Sequence, residues 1–558
     1  MRINLKIYFM LSLAITLVGS VLAYLILGQP ALIGMDDANI THVYARNLSA
    51  GYGYVYTPGF ERVEGSTSPL WTFINVAAFV LSSKPELILL GISFLLTAGA
   101  VFFVFCIFEI LFDRIGASRR AVLALMSIVL IGMFGFYTWN VLSLMDLALW
   151  TFLLNGFILV IVLRVDARLS RRNAMVAVAI LSVLLGLARP EAMVLVPILL
   201  AIGAIGEWRR ASWPSETIRI YGAGLMCSLL TTGFLALFRT LYFGVPFPNT
   251  YYAKVSNNPI DNLKLGLTYL AKFSAQGPMA DVLILGVAVC FVISAWKLFL
   301  TRAGATSANP FRCLFVLSGA VIVVLALTFA TGGDHFGSFR LYQPVYPLLF
   351  VIVLIAGAAA LRKGFGSIDF PRGLKVFLAI TVSAVFLLST MAGFHLNRGV
   401  SHEFDLAKNG RALGAALNRI AARSPGTRVA VTAAGGVAVT YKGRILDLMG
   451  LNWPKMAHAT ERRSGVHGHS AFVARVFWAE RPELVMPAIN ETLPHAMRVT
   501  EFRVNILNGL PRSDRFLKEY TPVAIPVSEI YVVAYARRDW IADYIKHGKI
   551  FRLGNTLN

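Results

Sequence analysis

The sequence predicts a polytopic α-helical membrane protein that carries a C-terminal α/β domain outside the cytoplasm. Hydrophobic residues make up 57% of the 558 residues and charged residues only 14%, whereas about a quarter of a soluble domain is charged. Apolar runs of membrane-spanning length recur as far as residue 394. Beyond that point polar and apolar residues mix in short segments, which is typical of a folded domain in water.

Each predicted membrane span is an apolar run of roughly the 20 residues that a helix needs to cross a bilayer. The first run follows Arg2 and Lys6 in the manner of a signal peptide but continues to Leu27, so we expect an uncleaved helix. Residues 66–82 form a shorter run, for which we expect a helix lying on or dipping into the outer face. The eleven predicted spans are 7–29, 84–110, 121–138, 145–164, 174–188, 191–206, 219–243, 281–300, 313–331, 341–360 and 376–394.

The positive charge of the chain predicts the orientation of these spans. Much of the net charge of +22 lies in the short loops 114–120, 164–172, 209–210 and 362–375. Loops of this kind stay in the cytoplasm. A cytoplasmic N-terminus and eleven crossings place all four loops inside and the last 160 or so residues outside. The charge therefore indicates anionic lipid head groups rather than nucleic acid as its partner.

The spans 174–188 and 191–206 are short for a bilayer. About 15 residues rise only about 22 Å, against a hydrocarbon core of about 30 Å. We therefore expect the hinge Arg189-Pro190-Glu191 below the outer surface, buried in protein or lining a wet cavity. A single kinked helix over both segments is the alternative, and it would reverse the sidedness of everything before it.

The chain is predicted to divide into a membrane domain of residues 1–394, with a long first outer loop at 30–83, and an extracytoplasmic domain of residues 395–558. In the second domain, runs rich in β-branched residues predict strands. The predicted strands are 428–432, 444–447, 483–486 and 530–535, and the predicted helices are 406–423 and 469–480. This mixture predicts an α/β domain.

The polar residues that do not look like ordinary cytoplasmic loop charge all fall on the outer side under this topology. Charge is costly in hydrocarbon, so carboxylates, cations and aromatic residues gathered at one membrane surface predict chemistry on a lipid-linked substrate. The candidate site residues are Asp36, Asp37, Arg46, Arg62, Glu64, Asp146, Arg189, Glu191, Asn249, Tyr252, Lys254, Asp334, His335 and Arg340.

Each of these segments also has an ordinary structural interpretation. An acidic pair after a helix commonly caps the next helix. The Arg189-Pro190-Glu191 hinge can be an internal ion pair, and the aromatic residues before Lys254 can form an interfacial belt. His467 and His469 lack a third ligand, so no metal site is predicted there. Only the convergence of several segments on one side favours a functional site.

The sequence contains neither of the common glycine-rich nucleotide-binding motifs. An outward-facing enzyme without a nucleotide still needs an activated donor, and a sugar on a polyprenyl phosphate meets that need. A carboxylate would take the proton of an acceptor hydroxyl, and cations would stabilise the leaving phosphate. The need for a divalent cation stays open.

Several segments carry a recurring family pattern. In the first loop they are Asp36-Asp37-Ala, Tyr44-Ala-Arg46-Asn47-Leu, Glu61-Arg62-Val-Glu64-Gly65 and Pro69-Leu-Trp71. Further along they are Arg189-Pro190-Glu191, Pro248-Asn249-Thr-Tyr-Tyr252-Ala-Lys254, Gly332-Gly-Asp334 with Arg340, and Asp447-Leu-Met-Gly450. Together they resemble GT-C-type glycosyltransferases that use polyprenyl-phosphate sugars. The similarity is greatest to the group that contains the mycobacterial terminal β-(1→2)-arabinofuranosyltransferase.

This resemblance implies a GT-C membrane domain, a glycan-binding C-terminal domain, and decaprenyl- or undecaprenyl-phosphate arabinofuranose as donor. It implies a first-loop aspartate as catalytic base, which is Asp36 as first choice or Asp37. Asp146 lies where the family has Gly-Met-Glu-Thr and this chain has Leu-Met-Asp-Leu, so its role is not carried over. The phosphate candidates are Arg62, Arg189, Lys254 and Arg340.

The predicted function is a glycosyltransferase of the bacterial cytoplasmic (inner) membrane whose active site faces the periplasm. It would move a sugar, with D-arabinofuranose preferred, from a polyprenyl phosphate to an extracytoplasmic glycan or glycoprotein. The alternatives are a flippase for a lipid-linked sugar, which would need related halves and mid-membrane charges, a GT-C enzyme for another sugar such as mannose, and an inactive glycan-binding protein. The stereochemistry stays open, because one base suits inversion whereas a β-linked product from a β-linked donor requires retention.

Overall fold

The computed structural model describes residues 5–112, 119–208, 214–254, 259–276, 278–300, 310–364, 399–422, 424, 426–459, 472–486, 505–527, 530–545 and 551–552. The predicted span 376–394 and the histidines His467 and His469 lie outside these residues, as does the start of the predicted helix 469–480.

The described part of the first 364 residues is built from helices. In chain order these are α1 (Leu5–Ile26), α2 (Asp36–Ser49), α3 (Pro69–Leu81), α4 (Pro85–Phe112), α5 (Arg119–Ile131), α6 (Phe134–Tyr137), which continues as a π-helical turn over Thr138–Leu142, α7 (Leu147–Val165), α8 (Arg171–Ala188), α9 (Ala192–Trp208), α10 (Pro214–Phe243), α11 (Asn249–Lys254), α12 (Pro259–Ser274), α13 (Pro278–Leu300), α14 (Pro310–Ala330), a 3-10 segment (Gly337–Val345) and α15 (Tyr346–Gly364).

The chain is a multi-pass membrane protein. Within the described residues, eight helices are long and apolar enough to cross a bilayer, or nine if one bent pair forms a further span. The predicted runs 7–29, 84–110, 145–164 and 281–300 correspond to α1, α4, α7 and α13 within a few residues. The short run predicted at 66–82 is the 13-residue helix α3.

One predicted span is bent in the structure. The sequence predicts a continuous run over 121–138, but α5 ends at Ile131 and the chain resumes at Phe134 with a 57° bend. Gly132 lies at the break, and glycine is among the residues at which helices kink. A similar break separates α8 from α9. Arg189 is extended there (φ −154°, ψ 145°), as expected for a residue before a proline.

The chain folds into two compact units, which we call the helical unit and the α/β unit. The helical unit comprises Met1–Gln29, Leu90–Phe234 and Asn262–Arg398, and the α/β unit comprises Pro30–Leu89, Leu235–Asp261 and Gly399–Asn558. The α/β unit thus takes in the whole of the first outer loop, the end of α10 and the loop that follows it. The division at residue 394 drawn from the sequence stays a prediction.

The α/β unit contains a mixed six-stranded sheet. Its strands are β1 (Val429–Val431), β2 (Ile445–Asp447), β3 (Leu484–Met486), β4 (Tyr520–Val527), β5 (Ile530–Arg537) and β6 (Phe551–Arg552). Their order in the sheet is β2-β1-β3-β5-β4-β6. β1 is parallel to β2 and β3, whereas β5 is antiparallel to β3 and β4, and β6 is antiparallel to β4. The four predicted strands are β1, β2, β3 and β5. In chain order the elements are α16 (Gly399–Ala421), β1 (Val429–Val431), α17 (Gly436–Thr440), β2 (Ile445–Asp447), α18 (Pro454–Ala457), α19 (Ala474–Glu480), β3 (Leu484–Met486), a 3-10 turn (Leu510–Arg512), α20 (Asp514–Glu519), β4 (Tyr520–Val527), β5 (Ile530–Arg537), α21 (Arg538–Ile545) and β6 (Phe551–Arg552).

The first loop shares its hydrophobic core with the C-terminal segment of the α/β unit. Tyr44, Tyr54 and Tyr56 from the loop are buried in one cluster with Leu413 and Val437 from the C-terminal segment. Burial of three aromatic side chains is a large hydrophobic contribution, because each removes roughly 150–250 Å² from water. This core holds helix α2, and with it the acidic pair, in a fixed place within the unit.

Candidate functional site

The acidic pair opens helix α2. Met35 is extended (φ −79°, ψ 170°) and the helix begins at Asp36. Carboxylates in a first helical turn are favoured because the unpaired backbone N–H groups carry partial positive charge there. The two neighbouring aspartates nevertheless have different surroundings.

Asp36 is bound to the backbone of the C-terminal segment. Its residue is only 4% exposed, and its two carboxylate oxygens accept hydrogen bonds from the N–H of Gly435 (2.9 Å) and of Gly436 (2.7 Å). Burial raises the pKa of Asp36 to about 6, against the effect of the two N–H donors, and the neighbouring Asp37 and Asp447 raise it further. Each oxygen of Asp36 therefore already holds a protein donor.

Asp37 keeps its carboxylate accessible. Its side chain is 23% exposed, and Lys254 Nζ lies 3.9 Å from Oδ2. Within the described residues Asp37 accepts no hydrogen bond from another protein group, and Lys254 is its only ion-pair partner. Of the acidic pair, Asp37 is therefore the more accessible member.

Asp447 is a third carboxylate beside the acidic pair. It is fully buried at the end of β2 and accepts hydrogen bonds from the N–H of Met449 (3.0 Å) and from the N–H and side-chain amide of Asn452 (2.9 and 3.0 Å). Burial raises the pKa of Asp447 to about 6, and Asp37 contributes to the rise. The amide oxygen of Asn452 in turn accepts from the hydroxyl of Tyr44 (3.0 Å), which joins this turn to α2.

Helix α11 brings Lys254 to the acidic pair. Asn249, at its first residue, donates to the carbonyl oxygens of Gly450 (2.6 Å) and Leu451 (2.9 Å), and its side-chain oxygen lies 3.1 Å from His458 Nε2. The ring of Tyr252 lies 4.3 Å from that of His458. Asn249 and Tyr252 thus hold the short helix in place, and Lys254 is its last residue.

Three further candidates of the first loop differ in their freedom to bind a ligand. Arg46 donates to the carbonyl oxygen of Val439 (2.5 Å). Glu64 is buried and accepts two hydrogen bonds from Arg239 (2.7 and 3.0 Å), and burial raises its pKa while Arg239 opposes the rise. Arg62 is exposed and lies 4.5 Å above the ring of Tyr242. Arg46 and Glu64 are therefore engaged within the protein, and Arg62 is available.

The helical unit holds the other charged candidates. Arg189 donates to Asp146 (3.0 Å) and to both oxygens of Glu191 (2.8 and 3.2 Å). Burial lowers the pKa of Arg189, but the two carboxylates outweigh this and hold it above its ordinary value. Burial raises the pKa of Glu191, but Arg189 outweighs this and holds it below its ordinary value. The hinge predicted from sequence is thus a three-membered ion cluster.

A second ion pair of the helical unit lies in the turn before α15. Arg340 donates to Asp334 (2.8 Å), and its guanidinium lies 4.3 Å from the ring of Phe336 and 5.4 Å from that of Trp139. His335 is exposed, and its ring lies 4.1 Å from that of Phe336. The backbone that follows is strained, since Ser338 and Phe339 have φ of 57° and 48°. Such strain occurs at functional turns more often than elsewhere.

A small open groove lies in the helical unit next to the hinge. Arg189 and Glu191 supply charged atoms to it, and its other walls are mainly apolar side chains of α7, α14 and the segment before α15. Leu147, Trp150, Leu327 and Pro344 belong to these walls. A groove of this composition suits a molecule with one charged end and a hydrocarbon body.

The predicted site residues thus form two groups. The α/β unit brings together Asp36, Asp37, Asn249, Tyr252 and Lys254, and the helical unit brings together Arg189, Glu191 and Asp146 and pairs Asp334 with Arg340. Within the described ranges, no three histidine, cysteine or acidic side chains are grouped so that they could hold a metal ion.

Sequence reasoning missed Gly435, Gly436, Arg239 and Asn452. Only the glycine pair gives a local signal, because Gly-Gly after a β-type run predicts a turn in which the backbone approaches another group closely. Arg239 lies 175 residues from its partner Glu64, and nothing in a single sequence connects the two.

Comparisons with known proteins give three results. Residues 401–544 match the family described as Domain of unknown function (DUF8728), and none of the curated proteins matches the sequence. An oligosaccharyltransferase of Archaeoglobus fulgidus, solved with zinc and sulfate, is similar with a TM-score of 0.48 and 10% identity, over 94% of this chain and 73% of that one. ArnT of Cupriavidus metallidurans, solved with undecaprenyl phosphate, is similar with a TM-score of 0.49 and 11% identity, over 94% of this chain and 97% of that one. Both TM-scores lie below 0.5, so neither likeness establishes a shared fold.

Proposed function

We propose that the chain is a membrane glycosyltransferase that moves a sugar from a polyprenyl phosphate to a glycan or glycoprotein outside the cytoplasm. The proposed sugar is D-arabinofuranose, which rests on the resemblance of the first loop to the arabinofuranosyltransferase group. The proposed location is the bacterial cytoplasmic membrane with the site facing the periplasm, which rests on the arginine-rich loops.

The observation that carries this proposal is the state of Asp37. Its carboxylate is partly exposed, has no hydrogen-bond donor among the described residues, and lies 3.9 Å from one cation. Its neighbours Asp36 and Asp447 are buried and accept hydrogen bonds from the protein. An accessible carboxylate on a rigid helix end is what a general base for a hydroxyl group requires.

The proposed reaction uses Asp37 as the base. The acceptor hydroxyl gives its proton to the Asp37 carboxylate while its oxygen forms a bond to the anomeric carbon of the donor sugar. The bond from that carbon to the phosphate oxygen breaks, and its electron pair leaves with the polyprenyl phosphate. Asp37 then returns the proton to water. Phosphate leaves as an anion, so it needs nearby positive charge more than it needs a proton.

Lys254 and Arg62 are the cations of the α/β unit that we propose for this phosphate. Lys254 has a 32% exposed side chain and one carboxylate partner, and Arg62 lies exposed over an aromatic ring. Both keep N–H donors free for phosphate oxygens. In the helical unit, Arg189, which lines a mainly apolar groove, is a further candidate.

The test is transfer of radiolabelled sugar by the purified chain. Polyprenyl-phosphate [14C]arabinofuranose is supplied with cell-envelope acceptors, and product is separated from lipid. We expect label on the acceptor with the wild-type chain and a 10²- to 10⁴-fold lower rate with D37N, roughly the contribution of a general base. D37N should still bind the lipid donor. Normal turnover by D37N would refute the assignment of the base.

The same material distinguishes the other functions. Label that crosses a vesicle membrane without joining the acceptor would indicate a flippase, and label retained on the protein without product would indicate a glycan-binding protein. Polyprenyl-phosphate mannose, supplied in parallel, tests the sugar. Faster transfer of mannose than of arabinose would replace the proposed donor while leaving the proposed reaction in place.

A further inference from the structure

Asp36 and Asp37 are neighbours in the chain, yet only one of them is accessible. The inference concerns Asp36 and rests on the proposed transferase function. Asp36 takes part in two backbone hydrogen bonds that reach 399 and 400 residues along the chain, to Gly435 and Gly436. These bonds join the first turn of α2 to the first turn of α17 within the α/β unit.

The contact depends on glycine at position 435. A Cβ atom there would lie 1.7 Å from the backbone oxygen of Asp36 and 3.0 Å from its carboxylate carbon. The two nearest atoms belong to the backbone of Asp36, which cannot rotate away as the end of a flexible side chain can. Any side chain at Gly435 must therefore push α2 and the C-terminal segment apart at Asp36.

The contact also determines the direction of Asp37. Consecutive residues of an α-helix point about 100° apart, because 3.6 residues complete a turn. When the carboxylate of Asp36 is held by two N–H groups, the helix cannot rotate at its first turn, and Asp37 keeps one orientation towards Lys254.

We propose that Asp36 is a positioning residue. By binding its carboxylate, the N–H groups of Gly435 and Gly436 in the C-terminal segment fix the orientation of the catalytic carboxylate of Asp37. The segment that matches a family of unknown function therefore contributes directly to the reaction geometry. A shift of about 1 Å at a reacting group can lower a rate about 100-fold. Loss of this contact should lower kcat and leave donor binding nearly unchanged.

The experiment compares variants of the purified full chain in the labelled-donor assay. D36N, D36A and G435A remove or displace the contact, and D37N removes the proposed base. E483Q and G443A are matched controls. Glu483 is a buried acid that accepts the backbone N–H of Arg428 (2.7 Å) and also pairs with the side chains of Arg428 and Arg537. A Cβ at Gly443 would approach the side chain of Tyr441, whose hydroxyl oxygen would lie 2.3 Å away. Circular dichroism and gel filtration give the folded fraction, and rates are expressed per folded molecule.

We expect G435A and D36N to lower kcat by about 10- to 100-fold while the donor KM changes by less than about twofold. D36A should be slower than D36N, because asparagine keeps one acceptor oxygen. E483Q and G443A should keep kcat within about twofold of wild type. If G435A does not fold, the comparison of D36N with D36A decides, since a residue that is itself the base would lose equal activity in both.

Three results would overturn the inference. They are normal kcat in folded G435A, equal loss of activity in D36N and D36A, and a loss in E483Q as large as that in D36N. Each of these requires an active wild-type chain. A wild-type chain that transfers no label from any polyprenyl-phosphate sugar would instead overturn the proposed function itself, so the two failures are distinguishable.

Discussion

The helical unit and the α/β unit stabilise buried carboxylates in different ways. In the helical unit Asp146 and Glu191 contact Arg189, and Asp334 contacts Arg340. In the α/β unit Asp36 and Asp447 accept hydrogen bonds from backbone N–H groups and an asparagine. An arginine supplies a full opposite charge, whereas an N–H group supplies only a dipole. Glu191 of the helical unit and the buried Asp36 and Asp447 of the α/β unit therefore differ in their affinity for protons.

The difference is visible in the directions of the pKa shifts. Arg189 holds the pKa of Glu191 below its ordinary value despite burial. Burial raises the pKa of Asp36 and of Asp447 to about 6, and their hydrogen bonds do not cancel it. Proton-transfer chemistry is favoured in the second kind of environment. The proposed base, Asp37, is a close neighbour of these two protonatable groups in the α/β unit.

The largest expected effect concerns a buried ion pair of the α/β unit that resembles those of the helical unit. Glu64 and Arg239 have side chains only 4% and 8% exposed. R239M should lower the free energy of unfolding by about 3–5 kcal/mol, because it leaves a buried carboxylate without its charge partner. Thermal unfolding in detergent measures this.

The control for this prediction is R515M, since the Arg515–Glu519 pair lies on the surface with an arginine side chain 57% exposed. Exposed pairs contribute less than about 1 kcal/mol. Equal losses in R239M and R515M would show that burial of the Glu64 pair adds nothing to stability.

The next prediction concerns Lys254, the cation beside Asp37. K254M should lower kcat by about 10²- to 10³-fold, the usual cost of removing one donor from a developing negative charge. The control is K455M, whose lysine is 64% exposed and pairs with Glu480. Transfer of labelled sugar is the measurement, and K254M activity equal to that of K455M would exclude Lys254 from the phosphate.

The raised pKa values should make stability depend on pH. The folded chain holds the protons of Asp36 and Asp447 more tightly than the unfolded chain. Their stabilising contributions are therefore present below about pH 4 and are lost as the pH rises through about 6. His42 acts in the opposite sense, because burial and the nearby Arg411 lower its pKa to about 4.

The variant D36N isolates one of these groups, since asparagine does not titrate. Between about pH 4 and about pH 7, D36N should gain stability relative to wild type by up to about 3 kcal/mol. E191Q should lose stability relative to wild type as the pH rises towards the ordinary glutamate pKa of about 4.5 and should then stay level, because the pKa of Glu191 lies below its ordinary value. Thermal midpoints of wild type and both variants, measured across these pH values, test the two predictions. If D36N and E191Q changed stability relative to wild type in the same direction with pH, the distinction between the units would be contradicted.

The smallest expected effect tests the ion cluster of the helical unit. In R189K the charge remains, but a lysine cannot contact two carboxylates as the arginine fork does. The donor KM should rise about tenfold, the size of one hydrogen bond to a charged group, with kcat nearly unchanged. R171K is the matched control, because Arg171 has a 61% exposed side chain. A fall in kcat without a change in the donor KM would indicate that Arg189 acts in the chemical step and not in donor binding.

Local features of the sequence predicted much of the fold. Apolar runs predicted most of the described spans, and β-branched runs predicted four of the six strands. Pro190 predicted a break that the backbone of Arg189 shows. These features depend on residues close together in the chain, which is why length and composition suffice to find them.

Contacts between distant segments could not be predicted. Asp36 was the first choice for the base, and nothing near it in sequence indicates that glycines 399 and 400 residues away hold its carboxylate. The pairing of Glu64 with Arg239 could not be predicted either, because the two residues lie 175 positions apart. Residue type and proximity to the membrane identified the acidic pair as a candidate, but only tertiary structure distinguishes its two members.

The most direct measurement is the single-turnover rate of sugar transfer by D37N and by D36N, with the folded fraction of each determined in parallel. We expect D37N to transfer sugar about 10²- to 10⁴-fold more slowly than wild type, whereas D36N retains about 1–10% of the wild-type rate with normal donor binding. Transfer by D37N at a rate equal to or above that of D36N would contradict this expectation, because the accessible carboxylate would then not be the base.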